Sequence, residues 1–159
     1  AIRPAMRIDK DGVWYYHGAE MIRKDIITLF SRNLRQNEAG QYLVELDAEQ
    51  CYVDVEDTPF VVKSVSLVHG AGKDLFSILL TDGSVEELIL DSLRISEDSI
   101  LYCTVKDGKF DARFSRPAYY QLTASMEHDS RNDTYFVAVN GHAYYIQAMR
   151  TPNGGNYVG

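Results

Sequence analysis

Four cations and two tyrosines lie close together in one short stretch of a chain whose formal net charge is -7. This stretch, "KDGKFDARFSRPAYYQL", covers residues 106–122, and its candidate ligand-binding side chains are Lys106, Lys109, Arg113, Arg116, Tyr119 and Tyr120. Guanidinium groups bind phosphate through paired hydrogen bonds, and a tyrosine ring can stack on a base. The stretch therefore predicts a site for a small anionic, nucleotide-like ligand.

The local backbone is expected to bring these groups together. Alternate side chains of a strand share a face, so Lys109 and Arg113 should lie side by side, and Arg116 should enter the helix that follows. Free N–H groups at a helix N-terminus also favour anions, and Ser115 can cap this helix. We expect Arg113 and Arg116 to anchor the ligand and Tyr120 to form a stacking wall.

A purely structural role for the same cations stays open. An acidic run elsewhere in the chain contains Glu45, Asp47, Glu49, Asp54, Glu56 and Asp57. These carboxylates suit the solvated face of a hairpin, but they could also dock on the basic stretch through charge. In that case the cations would form a salt-bridge seam between two halves of the chain, with no ligand.

Other chemistry finds little support in the sequence. The segment "HGAGKD" at 69–74 lacks the first glycine of a phosphate loop, where Leu67 stands, and its final hydroxyl, where Asp74 stands. The four histidines are never three or four residues apart, so no helix can present two of them to one metal ion. We expect no enzyme activity, no catalytic residue, no metal and no cofactor.

Composition predicts one globular chain rather than a disordered or membrane-spanning one. Hydrophobic residues make up 45% of the 159 residues, but no apolar run is long enough to cross a bilayer. The beginning of the sequence lacks the apolar segment of a signal peptide, so we expect a cytoplasmic protein. The acidic balance argues against duplex nucleic acid as a partner. Cys51 and Cys103 are expected to be free, buried thiols.

Apolar periodicity places the elements that must position the basic stretch. The residues 19–34 favour a helix whose apolar face is Ile22, Ile26, Leu29, Phe30 and Leu34, and residues 116–126 favour a second helix. Between and after them, alternating apolar runs separated by short turns predict antiparallel hairpins. The predicted fold class is therefore α+β with antiparallel sheets.

The chain also repeats itself at an offset of 93 residues. This shift places Arg23 on Arg116, and it makes the hairpins Tyr42–Val53 and Tyr135–Ile146 equivalent. A further shift of three residues aligns the "KDG" at Lys10 with the "KDG" at Lys106. We predict a tandem duplication of a strand-helix-hairpin unit, with residues 1–58 as the first domain and 59–159 as the second. Arg23 would then approach the same cleft as Arg116.

Several ordered blocks, including "DGVWYYHGAEMIRKDIITLFSRNL", "GQYLVEL", "VEDTPF" and "LYCTVKDGKFDARFSRPAYYQL", resemble the bacterial family called Domain of Unknown Function 1285. The resemblance covers nearly the whole chain. It implies a duplicated fold whose C-terminal part is similar to a pleckstrin homology barrel. It also implies a small, nucleotide-like ligand held between the two parts, in bacterial signalling.

Two functions from different classes therefore follow from the sequence. The first is a nonenzymatic ligand-binding module in bacterial signal transduction, with the ligand between its two units. The second is a protein-interaction adaptor, for a signalling partner, whose charged seam between the units is structural.

Overall fold

The computed structural model describes residues 4–149, and strands dominate it. Its two α-helices are α1 (Lys24–Arg32) and α2 (Arg116–Thr123), and a short 3-10 helix covers Leu90–Ser92. The strands are β1 (Met6–Ile8), β2 (Trp14–Tyr16), β3 (Ala19–Glu20), β4 (Leu34–Gln36), β5 (Tyr42–Leu46), β6 (Glu49–Val55), β7 (Phe60–His69), β8 (Asp74–Leu80), β9 (Val85–Glu87), β10 (Arg94–Ile95), β11 (Leu101–Val105), β12 (Phe110–Phe114), β13 (Met126–Asp129), β14 (Thr134–Val139), β15 (His142–Tyr145) and β16 (Gln147–Ala148).

These strands form three sheets. A six-stranded sheet has the order β3-β2-β1-β6-β5-β4, a seven-stranded sheet the order β16-β10-β11-β12-β7-β8-β9, and a three-stranded sheet the order β13-β14-β15. Most neighbours are antiparallel, as predicted. The pairs β1 with β6, β7 with β12 and β10 with β16 are parallel, so the prediction of purely antiparallel sheets is wrong there. Parallel pairing needs a long crossover between its strands, which local turn patterns do not reveal.

The first helix is shorter than the sequence predicts, because the residues at both ends of the predicted range form strands instead. Ala19 pairs with Tyr16 in the β2–β3 hairpin, and Leu34 pairs with Val44 in the β4–β5 hairpin. The side chain of Asn33 closes the helix by donating a hydrogen bond to the carbonyl of Leu29 at 2.8 Å. Ile22 consequently precedes the helix and is 80% exposed rather than part of a buried face.

The second helix begins as predicted. Ser115 caps it by accepting a hydrogen bond from the backbone N–H of Ala118 at 3.2 Å, and Pro117 occupies its first turn. It ends at Thr123, earlier than predicted, and Met126 instead opens β13. No helix among residues 4–149 has the length and apolar character needed to cross a bilayer.

The two hairpins that the repeat predicts are both present, and each follows a helix. Leu43 pairs with Tyr52 in the first hairpin, and Phe136 pairs with Tyr145 in the second, so both use the same register at an offset of 93 residues. Asp47 and Asn140, at the same turn position, both have positive φ angles of 53° and 54°. The sheets are open, and the duplication and the pleckstrin-like barrel stay predictions.

One hydrophobic core crosses the predicted boundary at residue 58. The ring of Phe110 lies 5.5 Å from that of Phe60 and 6.4 Å from that of Tyr42, measured between centroids. Met6, Ile8, Trp14 and Val53 from the first half belong to the same buried cluster as the central strands of the second. The two halves are therefore packed together through one shared core.

The two cysteines are free, but only one is buried. Cys103 lies in the centre of the seven-stranded sheet, where burial raises the pKa of its thiol to about 12. Cys51 is exposed on β6, so the prediction that both thiols are buried is wrong for this residue. Cys51 lies on the same face of β6 as the buried Val53, but residues 49–52 are exposed on both faces, so this end of the hairpin extends beyond the core.

Candidate functional site

A cavity of about 320 Å³ lies where β12 runs into α2, and we call it the cationic cavity. The turn between β1 and β2 contributes Lys10 and Asp11 to its wall. Arg113, Arg116 and Tyr119 line it from β12 and α2. The cavity thus brings three cations and one carboxylate together at the junction of the two halves.

Among residues 4–149, Arg116 and Lys10 are the cations of this cavity that form no ion pair, and Arg116 also contacts an aromatic ring. Its guanidinium carbon lies 5.2 Å from the centroid of the Tyr119 ring, in a cation–π contact. Within the part of the chain that the structure describes, it forms no ion pair with a carboxylate. A guanidinium with five N–H donors and no acidic partner is suited to bind an oxyanion.

Arg113 is partly engaged in holding the two halves together. Its Nη1 atom donates to Oδ2 of Asp57 at 2.9 Å, and the hydroxyl of Tyr102 donates to the same oxygen at 2.8 Å. Burial, reinforced by the hydrogen bond to Asp57, raises the pKa of Tyr102 to about 12. The seam that the sequence left open is thus formed at this pair, while other N–H donors of Arg113 remain at the cavity.

The start of α2 offers less to an anion than predicted. Pro117 has no N–H group, the N–H of Ala118 is bonded to the side chain of Ser115, and that of Tyr119 is bonded to the Ser115 carbonyl. The expectation of several free N–H groups is therefore wrong. The groups in this cavity that could bind an anion are therefore mainly the side chains of Lys10, Arg113 and Arg116.

Lys106 lies outside the cavity and has a structural partner. Its ammonium group donates to Oδ2 of Asp82 and to Oγ of Ser84, both at 2.8 Å, and lies 5.2 Å from the Phe60 ring centroid. Burial alone would raise the pKa of Asp82, but hydrogen bonds from Lys106 and Ser84 outweigh it and lower the pKa. Lys106 therefore stabilises the fold at this position.

Lys109 does not share a face with Arg113, contrary to the prediction. It lies exposed in the turn between β11 and β12, where Lys106, Asp107 and Gly108 all have positive φ angles. The alternation of side chains holds only inside a strand, and β12 begins after Lys109 at Phe110.

Arg23 and Tyr120 also lie outside the cavity. The Arg23 guanidinium is 71% exposed and pairs with Asp25 at 2.6 Å, so it does not approach Arg116 as the repeat suggests. Tyr120 is 64% exposed, and its ring meets that of Tyr119 edge-on at a centroid distance of 5.3 Å. The aromatic wall of the cavity is Tyr119.

The sequence did not identify Lys10 and Asp11 as site residues, although a signal was present. The "KDG" at Lys10 repeats the "KDG" at Lys106 within the basic stretch. Gly12 allows this turn to approach β7: its φ angle is +84°, and an added Cβ would lie 2.7 Å from Cγ2 of Thr81. Lys10 reaches the cavity through that close approach.

Asp57 joins the acidic run to the basic stretch through Arg113, whereas Glu45 faces Arg35 at 3.7 Å and Glu56 faces Arg7 at 4.0 Å, both within the first half. Lys106 of the basic stretch pairs instead with Asp82, which lies outside the acidic run. Among residues 4–149, no cluster of three or more acidic, histidine or cysteine side chains could hold a metal ion.

Comparisons with known structures show that this fold occurs in two other proteins. One is a DUF1285 family protein from Silicibacter pomeroyi, with a TM-score of 0.73 and 21% identity, covering 91% of this chain and 80% of that one. The other is a DUF1285 family protein from Shewanella baltica, with a TM-score of 0.64 and 19% identity, covering 76% of this chain and 91% of that one. No curated protein matches the chain.

The family comparison agrees with these structures. Residues 3–58 match the family described as "Domain of unknown function (DUF1285), N-terminal domain". Residues 3–58 are therefore similar to the N-terminal domain of that family, in agreement with the resemblance that the blocks in the sequence indicate.

Proposed function

We propose that this chain is a nonenzymatic module that binds a small anionic, nucleotide-like ligand in the cationic cavity, between its two halves. In this proposal it acts in the cytoplasm in bacterial signal transduction, where a signalling protein responds to the bound state. The role includes no catalysed reaction, so ligand incubated with the protein should be recovered unchanged.

The proposal rests on one observation, which is that Arg116 forms no ion pair among the described residues. Arg116 lines the cavity beside Arg113 and Lys10, and no carboxylate in the described residues neutralises it. Arg113 is already paired with Asp57 and Asp11 lies in the same wall, so the positive charge that an anion would neutralise is that of Arg116 and Lys10. The volume of about 320 Å³ lies at the lower end of the range of about 300–1,000 Å³ for small-molecule sites.

Thermal-shift measurements with inorganic phosphate and a panel of nucleotides that includes adenosine monophosphate test the proposal. A ligand at about 100 times its dissociation constant should stabilise the protein by about 2.7 kcal/mol. Arg116→Ala deletes a charge-assisted bond of about 1.5–3 kcal/mol, so it should weaken binding about tenfold to a hundredfold. The melting temperature without ligand should change little.

Arg131→Ala is the matched control, because Arg131 is an exposed arginine in the turn between β13 and β14. It removes the same charge and should leave affinity unchanged. A large loss of stability in Arg116→Ala, with no compound in the panel bound by the unmodified protein, would refute the proposal.

The ion pair of Arg113 with Asp57 supports the second candidate, an adaptor whose seam is structural. In that role the chain would present a surface to a signalling protein and need no ligand. The exposed face of β14 and β15, where Phe136 stacks on Tyr145 at 5.2 Å, would be available for such contacts. The adaptor becomes the better account if neither phosphate nor any nucleotide binds.

We also propose the finer architecture: two copies of a strand-helix-hairpin unit, with a pleckstrin-like second copy. The common register of the two hairpins and their equivalent turn residues support it. The cationic cavity would then lie at the interface of the copies, with Lys10 from the first and Arg116 from the second.

A further inference from the structure

A second, larger cavity lies beside the cationic one, and we call it the apolar groove. Its volume is about 830 Å³, and it runs between α1, the β2–β3 hairpin and strands β7 and β8. The apolar side chains along it are Trp14, Met21, Ile22, Ile27, Val61 and Leu79. Ile22 is 80% exposed in this structure, so the groove presents apolar surface that a ligand could cover.

The groove and the cationic cavity adjoin. Both are lined by Asp11, Val61, Ser115 and Pro117. Arg116 lies between Ser115 and Pro117 in the chain and lines the cationic cavity, so a cation belongs to the cavity on the other side of these shared residues. A molecule that lies across this junction would meet positive charge at one end and apolar side chains along the rest.

The wall of the groove also contains two lysines and three carboxylates. Lys24 and Lys63 line it and form no ion pair among residues 4–149. Asp82 also lines it but is neutralised by Lys106 at 2.8 Å. Asp11 and Glu20 are the remaining carboxylates of the wall.

We propose that the ligand is an amphipathic anion: a phosphate or carboxylate head held by Lys10, Arg113 and Arg116, with an unbranched alkyl chain in the apolar groove. This inference rests on the proposed function, since it uses the same cations and an anionic head, but it places an alkyl chain rather than a nucleoside beyond that head. The occupant is a free monomer of the amphiphile rather than a lipid within a bilayer. Its chain covers Ile22 and lies against the indole wall of Trp14.

The chain length of the ligand provides the first test. Butyl, octyl and dodecyl phosphate are titrated below their micelle concentrations, with adenosine monophosphate and inorganic phosphate alongside. Each methylene that enters the groove should strengthen binding about threefold to fourfold. Arg116→Ala should weaken the binding of all three alkyl phosphates by the same factor, because it removes a contact to their common head.

Trp14 provides a local readout, because it is the one tryptophan of the chain and lines the groove. A dodecanoate that carries bromine on its chain should quench Trp14 fluorescence, whereas plain dodecanoate should not. Ile22→Asp should weaken dodecyl phosphate about tenfold and leave butyl phosphate unchanged. Its control is Val85→Asp on β9, which also charges an exposed apolar side chain (64%) but lies outside the groove.

The outcomes separate the two proposals. If alkyl phosphates of every length and the nucleotides all fail to bind, both the inference and the proposed function fail. If adenosine monophosphate binds through Arg116 but alkyl length has no effect, the inference alone is overturned. The inference would also be overturned if Arg116→Ala left the affinity for dodecyl phosphate unchanged. It would be overturned as well if the protein bound phosphatidylglycerol vesicles but none of the monomeric alkyl phosphates.

Discussion

Arg113 and Arg116 belong to the same short basic stretch, but their neighbours give them different roles. Asp57 accepts a hydrogen bond from Arg113 at 2.9 Å, whereas the described residues leave Arg116 with the Tyr119 ring alone. Removing Arg113 would expose an unpaired carboxylate, and removing Arg116 would not. The structure thus distinguishes an arginine that forms an ion pair from one that forms none among residues 4–149.

The hydroxyl of Tyr102 makes stability depend on pH in the alkaline range. Its folded-state pKa of about 12 exceeds the ordinary value near 10 because of burial and the hydrogen bond to Asp57. The unfolded chain therefore loses this proton first, and stability should fall as pH rises between about 10 and 12. Denaturant unfolding across that range should show a smaller fall in Tyr102→Phe than in the unmodified protein. Equal slopes in the two proteins would contradict the assignment.

The turn between β1 and β2 is the element that completes the cavity. It carries Lys10 and Asp11, and it can pack on Val61 and Thr81 because residue 12 has no side chain. The positions of Lys10 and Asp11 in the cavity therefore depend on how closely the backbone at Gly12 approaches Val61 and Thr81.

Gly12→Ala tests that dependence. The φ angle of +84° strains any other residue, and the added Cβ would lie 2.7 Å from Thr81 Cγ2. We expect a loss of about 1–3 kcal/mol from the backbone alone, with more from the overlap, and weaker anion binding. Gly18→Ala is the matched control, since Gly18 has the same φ angle but no atom within 4 Å of an added Cβ. Denaturant unfolding of both variants should show Gly12→Ala as the less stable, and equal losses would contradict the close approach.

Elements set by local patterns were predictable, and elements set by distant pairing were not. Strands such as β8 and β14 alternate between buried and more exposed residues, and Ser115 and Pro117 mark the start of α2. The true ends of α1 depend on partners in other hairpins, which override its helical periodicity. The site follows the same rule: Arg113, Arg116 and Tyr119 are near neighbours in the chain, but Lys10 is not.

At the scale of the whole molecule, the shared core and the Asp57–Arg113 pair hold the two halves around the cavity. The Asp57 carboxylate stabilises the junction through Arg113 and Tyr102. Under the proposed function, it would also compete with the bound anion for the Arg113 guanidinium, so removing its charge should change stability and affinity in opposite directions.

Asp57→Asn should therefore lower the free energy of unfolding by about 1.5–3 kcal/mol, because hydrogen bonds from Arg113 and Tyr102 lose their charged acceptor. Binding of adenosine monophosphate or dodecyl phosphate should become stronger, because Arg113 is released toward the cavity. Denaturant unfolding and titration of the same variant measure the two effects. Asp111→Asn is the control: this carboxylate pairs with Arg94, is 51% exposed and lies outside the cavity, so it should change stability by no more than about 1 kcal/mol. Weaker anion binding in Asp57→Asn, with stability unchanged, would show that Arg113 does not link the junction to the site.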